Sequence, residues 1–116
     1  MSNHRRLVQQ HAKLFNQGVR TGNFGPMIAG FTDDAELIFH GIPVGPFRGK
    51  PAIAAAYRTR PPDDEIAVLA TREENGKIIA EYAWRRAPRA QAGGLIITPA
   101  GDKIARLVVI YGASKA

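Results

Sequence analysis

The chain has 116 residues, no cysteine, 45% apolar residues and a formal net charge of +6. This length suits one domain spanning 1–116, and the composition is that of an ordinary globular protein. Disulfides and thiolate metal sites are excluded. No run approaches the roughly 18 apolar residues that span a bilayer, and the start lacks the apolar core of a signal peptide. We therefore expect a cytoplasmic protein without membrane association.

The positive charge is spread over short arginine clusters. These are Arg5-Arg6, Arg58 with Arg60, and Arg85-Arg86 with Arg89, and acidic residues interrupt them. No aromatic-rich segment for stacking nucleic-acid bases accompanies them. We expect a solvated arginine-rich surface and no nucleic-acid partner; the alternative is affinity for an anionic ligand or a nucleic acid.

The first half of the chain predicts three helices and one strand. Leu7, His11 and Leu14 recur at spacings of three and four, which indicates an amphipathic helix. Gly22-Asn23 ends it, and Asp33-Asp34 turns the chain into a strand. The predicted elements are a helix over about 4–20, a short helix from Pro26 to Phe31, a strand at 35–40, a loop at 41–49 and a helix at 51–58.

The second half predicts a series of antiparallel strands. Glu74-Asn75-Gly76 is a hairpin signal, because Asn-Gly tolerates the positive φ angles of a type I′ turn. Helices followed by such strands indicate an α+β fold. The predicted strands are 65–72, 77–87, 95–98 and 104–111, with turns at 88–94 and 99–102.

The segment from Phe31 to Arg58 has a specific order of features. Asp33-Asp34 precedes an apolar strand, a Gly/Pro loop ends in Phe47-Arg48-Gly49, and Pro51 opens an alanine-rich helix. This order resembles the nuclear transport factor 2-like (cystatin-like) superfamily, in its SnoaL-like and ketosteroid isomerase-like branch. The resemblance covers about Leu7 to Gly112. It implies a cone-shaped, curved antiparallel sheet wrapped around the long N-terminal helix, with a cavity between them.

The tyrosines of ketosteroid isomerases have only one counterpart here. The oxyanion-donor tyrosine on the first helix corresponds to Phe15, and a supporting tyrosine corresponds to Phe31. The third tyrosine of the network is matched by Tyr57, which becomes a candidate catalytic donor. Since phenylalanine side chains donate no hydrogen bond, the resemblance implies little or no steroid isomerase activity.

The two aspartates of the isomerases are also replaced. The protonated aspartate falls near Gly94, and the aspartate base falls on Phe39 or His40. His40 is the candidate proton shuttle, because imidazole titrates near neutral pH. Its direction is open: a bulge within the strand would turn His40 into the cavity, whereas an extra loop residue would turn Phe39 in and leave His40 at the rim.

Strand alternation predicts which side chains face the cavity. Tyr82, Trp84 and Arg86 share one side of their strand, and burial of the aromatic pair places that side inward. His11 is either a core-edge histidine bound to a carbonyl or a pocket residue. The predicted ligand-binding set is His11, Phe15, Phe31, Phe39, Tyr82, Trp84, Arg86, Leu107 and Tyr111, around a cavity without carboxylates; the alternative is that the aromatic residues fill a closed core.

Two functions remain open from the sequence. In the first, the protein catalyses proton transfer on a cyclic carbonyl compound, as an isomerase, cyclase or dehydratase, with His40 as the proton shuttle and Tyr57 or Tyr82 as the hydrogen-bond donor to the oxygen. In the second, it is a non-catalytic ligand-binding or dimerisation module. In both, the partner is a small apolar molecule, and no cofactor and no metal site are expected, because the three histidines form no ligand set. A homodimer is expected through Val108 and Ile110 on the outer face of the sheet.

Overall fold

Helix α1 lies across the concave side of a curved, six-stranded sheet in the computed structural model, which describes residues 4–112. The α+β architecture predicted from the sequence is confirmed. The elements are α1 (His4–Thr21), α2 (Gly25–Ile28), β1 (Phe31–His40), β2 (Phe47–Arg48), α3 (Lys50–Thr59), β3 (Ile66–Glu74), β4 (Lys77–Trp84), β5 (Gly93–Ala100) and β6 (Lys103–Tyr111).

Helix α1 packs on the sheet through its apolar stripe and through two hydrogen bonds of the Asn16 side chain. Val8 and Phe15 are buried on the stripe. The Asn16 side chain donates to the Ile66 carbonyl at 3.0 Å and accepts from the Ile66 amide at 2.8 Å. The helix ends where predicted, because Gly22 adopts a φ of 79° and donates its amide to the Gly18 carbonyl.

The strand order in the sheet is β2-β1-β6-β5-β4-β3. The β3–β4 hairpin turns at Asn75 and Gly76, whose φ angles of 53° and 78° suit the predicted type I′ turn. All neighbours are antiparallel except β1 and β6, which are parallel. The expected purely antiparallel sheet is wrong at this pair, because the rest of the chain serves as the long crossover that parallel neighbours require.

Several predicted boundaries differ from the structure. Strand β1 begins at Phe31, so this residue is not helical, and Asp33-Asp34 lies within the strand where pairing to β6 is irregular. The loop at 41–49 contains the short strand β2, which pairs with β1. Strand β4 ends at Trp84 and not at residue 87, because the Ala87 amide turns back to the Trp84 carbonyl. Strand β5 covers Gly93–Ala100, including parts of both predicted turns.

The core lies between α1, α2, α3 and the concave face of the sheet. Phe31, Leu37, Ile53 and Leu107 are fully buried there. None of the helices within residues 4–112 is long and apolar enough to cross a membrane. The predicted lack of a signal peptide rests partly on residues 1–3, which lie outside the described residues. The cytoplasmic location stays a prediction.

Candidate functional site

A cavity of about 700 Å³ opens between α1, α3 and the concave face of the sheet. Residues from α1, α3 and all six strands line it, so the cone is not filled by its own aromatic residues. This volume is within the range that binds small molecules in proteins. Eight of the eleven predicted site residues line it, namely His11, Phe15, Phe39, Tyr57, Tyr82, Trp84, Leu107 and Tyr111.

His40 does not face the cavity. The pairing of β1 with β6 is regular from Glu36 to His40, so alternation puts Phe39 on the inner face and His40 on the outer face, where it is exposed. The irregularity in β1 lies earlier, between Phe31 and Glu36. The prediction that His40 is the proton shuttle in the cavity is therefore wrong, because its side chain faces the other side of the sheet. The sequence left two directions open, and the structure shows the one in which Phe39 points inward.

Phe31 and Arg86 also lie away from the cavity wall. Phe31 is buried beneath it, with its ring centroid 5.9 Å from that of His11 in an edge contact. Arg86 follows the end of β4 and no longer obeys the strand alternation that predicted it inward. Its guanidinium lies 3.0 Å from a carboxylate oxygen of Asp63 and 3.2 Å from one of Asp64.

His11 is a buried, uncharged base in the cavity wall. Its exposed fraction is 5%, and desolvation lowers its pKa to about 4 from 6.5, so the imidazole is neutral at neutral pH. Within residues 4–112, no protein group forms a hydrogen bond with the imidazole, so the predicted carbonyl partner is not present there. A neutral imidazole offers one N–H donor and one acceptor nitrogen, and His11 lines the cavity with neither of them bonded to a group of the described residues.

Tyr57 presents a buried hydroxyl from the end of α3 to the same cavity. The side chain is 8% exposed, and its ring packs on Phe24 with centroids 5.1 Å apart. Burial raises the pKa of Tyr57 well above its usual range, and Tyr111 and Tyr82 add to this, so the phenol stays protonated. In the described part of the chain its hydroxyl has no hydrogen-bond partner. The Tyr57 hydroxyl is thus free to donate a hydrogen bond. Phe15 and Phe31, the counterparts of the other two tyrosines, have no hydroxyl.

Tyr82 and Tyr111 complete the polar groups of the wall. The Tyr82 hydroxyl donates a long hydrogen bond of 3.4 Å to the Ile110 carbonyl, and burial raises its pKa to about 12. Burial also raises the pKa of Tyr111, which is 38% exposed. Five rings form what we call the aromatic arc, in which successive centroids lie 5.5 to 6.5 Å apart: Phe47, Phe39, Tyr111, Trp84 and Tyr82.

The mouth of the cavity is built from two loops that sequence reasoning did not assign to the site. Ile42, Pro43 and Val44 come from the β1–β2 loop, and the stretch 59–63 comes from the end of α3 and the following loop. Apolar side chains within the Gly/Pro-rich loop at 41–49 were the sequence signal that could have assigned this loop to the site. Asp63 corrects the prediction of a cavity without carboxylates, although its side chain is 82% exposed and lies at the mouth.

The isomerase positions of the sheet carry no polar group. Of the two residues to which the resemblance assigns the base, Phe39 faces the cavity and His40 does not. Gly94 lies on the outer face of β5 opposite Glu81, and its neighbour Gly93 faces inward without a side chain. The interior therefore offers neutral hydrogen-bonding groups only, from one imidazole and the phenols. Among residues 4–112, no three histidine or acidic side chains gather to hold a metal ion.

The fold is shared with solved structures at low sequence identity. No protein-family model matches the chain, and no curated protein is significantly similar in sequence. A nuclear transport factor 2-like protein of unknown function from Cytophaga hutchinsonii superposes with a TM-score of 0.72 at 15% identity, covering 97% of this chain and 92% of its own. The chain thus has the nuclear transport factor 2-like fold expected from the sequence.

Two further structures belong to the branch that the sequence resembles. A SnoaL-like protein of unknown function from Burkholderia thailandensis has a TM-score of 0.69 at 17% identity, covering 93% of this chain and 96% of its own. A provisionally assigned ketosteroid isomerase from Kribbella flavida has a TM-score of 0.68 at 9% identity, covering 98% and 81%. At these identities the likeness establishes the fold.

Proposed function

We propose that the protein binds a small, flat apolar molecule that carries one hydrogen-bonding oxygen. The observation that supports this is the pair of buried polar groups, His11 and Tyr57, that face the cavity without a partner among the described residues. An unsatisfied buried polar group costs about 1–3 kcal/mol. A ligand oxygen would remove that cost, while the aromatic arc buries the body of the ligand at roughly 25 cal/mol per Å².

A thermal-shift screen against steroids, terpenoids and aromatic polyketides tests this proposal, with Tyr57→Phe as the decisive variant. We expect this variant to be more stable than the wild type by about 1 kcal/mol without ligand, because it removes an unsatisfied hydroxyl. It should bind any hit about fivefold more weakly, because it lacks the donor.

Tyr82→Phe is the matched control, since the Tyr82 hydroxyl already has the Ile110 carbonyl as a partner. Removing it should give no gain in stability. A Tyr57→Phe variant that lost stability without ligand, or bound each hit as tightly as the wild type, would contradict the assigned role of this hydroxyl.

A second candidate function is proton transfer on a cyclic carbonyl compound. It is favoured by the positions of His11 and Tyr57, which bring a neutral imidazole and a phenol donor to the same cavity. In this reaction His11 accepts a proton from the carbon next to the carbonyl. The oxygen, which gains the negative charge, accepts a hydrogen bond from Tyr57, and the proton then returns to carbon.

Deuterium exchange separates the two candidates. A bound cyclic ketone in D₂O should lose its α-hydrogens faster with the wild type than with His11→Leu if the second function holds. Binding without accelerated exchange assigns the protein to the non-catalytic class. The reaction can be followed by NMR without knowledge of the natural substrate.

We also propose that the protein forms a homodimer through the outer face of the sheet. One row of half-buried aliphatic residues crosses four neighbouring strands there, since Ile38 pairs with Val108, Val108 with Ile96, and Ile96 with Ile79. Ile110 extends this outer apolar row. A contiguous apolar surface of this kind is typical of an interface, and pairing with a second copy would cover it.

Light scattering checks the dimer. The wild type should have twice the 12.6 kDa mass of the chain at micromolar concentration. Val108→Lys should shift it to the monomer, because a lysine at the centre of the row would be desolvated in the dimer. Ala67→Lys, at an exposed position of the edge strand β3, should leave the mass unchanged. A wild-type monomer would contradict the proposal.

A further inference from the structure

Arg60 places a cation at the mouth of the cavity. It follows the last residue of α3, where its amide donates to the Ala56 carbonyl at 3.0 Å, and its exposed side chain lines the opening. Within the described residues, no acidic group lies close enough to form an ion pair with its guanidinium. The charge is therefore available to a group that enters from solvent.

The carboxylate at the mouth does not compete for this role. Among residues 4–112, Asp63 is the one acidic residue that lines the cavity, and its carboxylate already lies 3.0 Å from the Arg86 guanidinium. Arg86 is itself fixed, because it also lies 3.2 Å from Asp64 and donates its amide to that side chain. Asp63 thus already has a cationic partner at the rim, whereas Arg60 has no acidic partner among the described residues.

Two residues with hydroxyl groups also line the cavity. Thr59 precedes Arg60 in the chain, and Tyr111, which is 38% exposed, belongs to the aromatic arc. A guanidinium suits a carboxylate, because its N–H groups can donate to both carboxylate oxygens. The interior behind the mouth is apolar, and its titratable groups, His11, Tyr57 and Tyr82, are neutral at neutral pH.

We propose that the ligand is an amphipathic carboxylic acid, which places its ring system and the hydrogen-bonding oxygen proposed above in the cavity and carries, in addition, a carboxylate at the mouth beside Arg60. This deepens the proposed ligand-binding function and rests on it. The formal net charge of +6 also favours a negatively charged ligand, because it raises the encounter rate with anions.

A matched pair of probes tests the inference, 1-naphthylacetic acid and 1-naphthylacetamide, which have the same ring and nearly the same shape. Calorimetry at neutral pH and low salt should show the acid binding about fivefold more tightly than the amide, as expected for one charge-assisted contact at an exposed site. Arg60→Gln should remove this difference by weakening the acid alone. Added salt should weaken binding of the acid and leave the amide unchanged.

Arg58→Gln is the control, because Arg58 is exposed on α3, two residues before Arg60, but does not line the cavity. It should leave both dissociation constants unchanged. Equal binding of acid and amide, or an acid affinity that Arg60→Gln does not change, would overturn the inference and leave the proposed function intact. If neither probe binds while uncharged molecules of the screen do, the acid preference is wrong; if the screen also gives no ligand, the proposed function fails with it.

Discussion

Replacing Gly93 by alanine is expected to lower the free energy of unfolding by about 3 kcal/mol, at the upper end of the cost of overpacking. A Cβ atom at this position would overlap the carbonyl oxygen of Ile110 on the neighbouring strand and lie 3.0 Å from the hydroxyl of Tyr82. Because the overlapping atom belongs to the backbone, the strand pair must separate to admit the methyl group. That movement would also break the hydrogen bond from Tyr82 to Ile110.

Gly94→Ala is the matched control for this substitution. Its Cβ would point to the outer face and lie 3.3 Å from the Ala80 carbonyl, which requires a shift of only a few tenths of an ångström. Urea denaturation of the two variants should show a large loss for Gly93→Ala and a small one for Gly94→Ala. Equal losses would mean that Gly93 is not in close contact with β6.

The second large effect is a loss of stability on acidification that depends on His11. Burial lowers its pKa to about 4 in the folded protein, from 6.5. The unfolded chain therefore takes up the proton as the pH falls through about 6.5, whereas the folded protein takes it up only near 4. Stability is unaffected above pH 6.5, falls between these values and levels off below. The total is about 3 kcal/mol, at 1.36 kcal/mol per pKa unit.

Chemical denaturation at several pH values between 7 and 4 measures this effect. His11→Leu should flatten the pH dependence relative to the wild type, because the variant has no buried group to protonate. His40→Gln, which removes an imidazole exposed on the outer face, is the control for the loss of a histidine. Carboxylates titrate alike in all three proteins, so the differences between them isolate the histidines. A flattened curve for His40→Gln alone would show that the burial of His11 is misjudged.

Much of the fold followed from local signals in the sequence. The helical spacing of Leu7, His11 and Leu14 and the Asn75-Gly76 turn act over a few residues, and both elements form as predicted. The start of β1 was missed, because Asp33-Asp34 is a turn signal, whereas in the structure the strand is only irregular there and pairs with β6 on both sides, at Phe31 and from Glu36. Strand β2 was missed, because two residues carry no periodic pattern.

The cavity wall could be predicted wherever strand alternation held. Tyr82 and Trp84 lie within β4 and face inward, whereas Arg86 lies beyond its end and does not. His40 was undecided, because a shift of one residue exchanges the two faces of a strand and the sequence does not show where a bulge lies. The residues of the mouth, Arg60 among them, come from a helix end and a loop, and their positions depend on tertiary packing.

Trp84 provides a direct test that the cavity is a ligand site. It is the only tryptophan of the chain and it lines the cavity, so its fluorescence reports occupancy. Ala56→Phe would fill the cavity from α3 without adding a second tryptophan, and Ala52→Phe is a control on the same helix away from the cavity. Titration with the best ligand of the screen should change Trp84 emission saturably in the wild type and in Ala52→Phe, but not in Ala56→Phe. An unchanged titration curve for Ala56→Phe would contradict the account, because the ligand would then bind elsewhere.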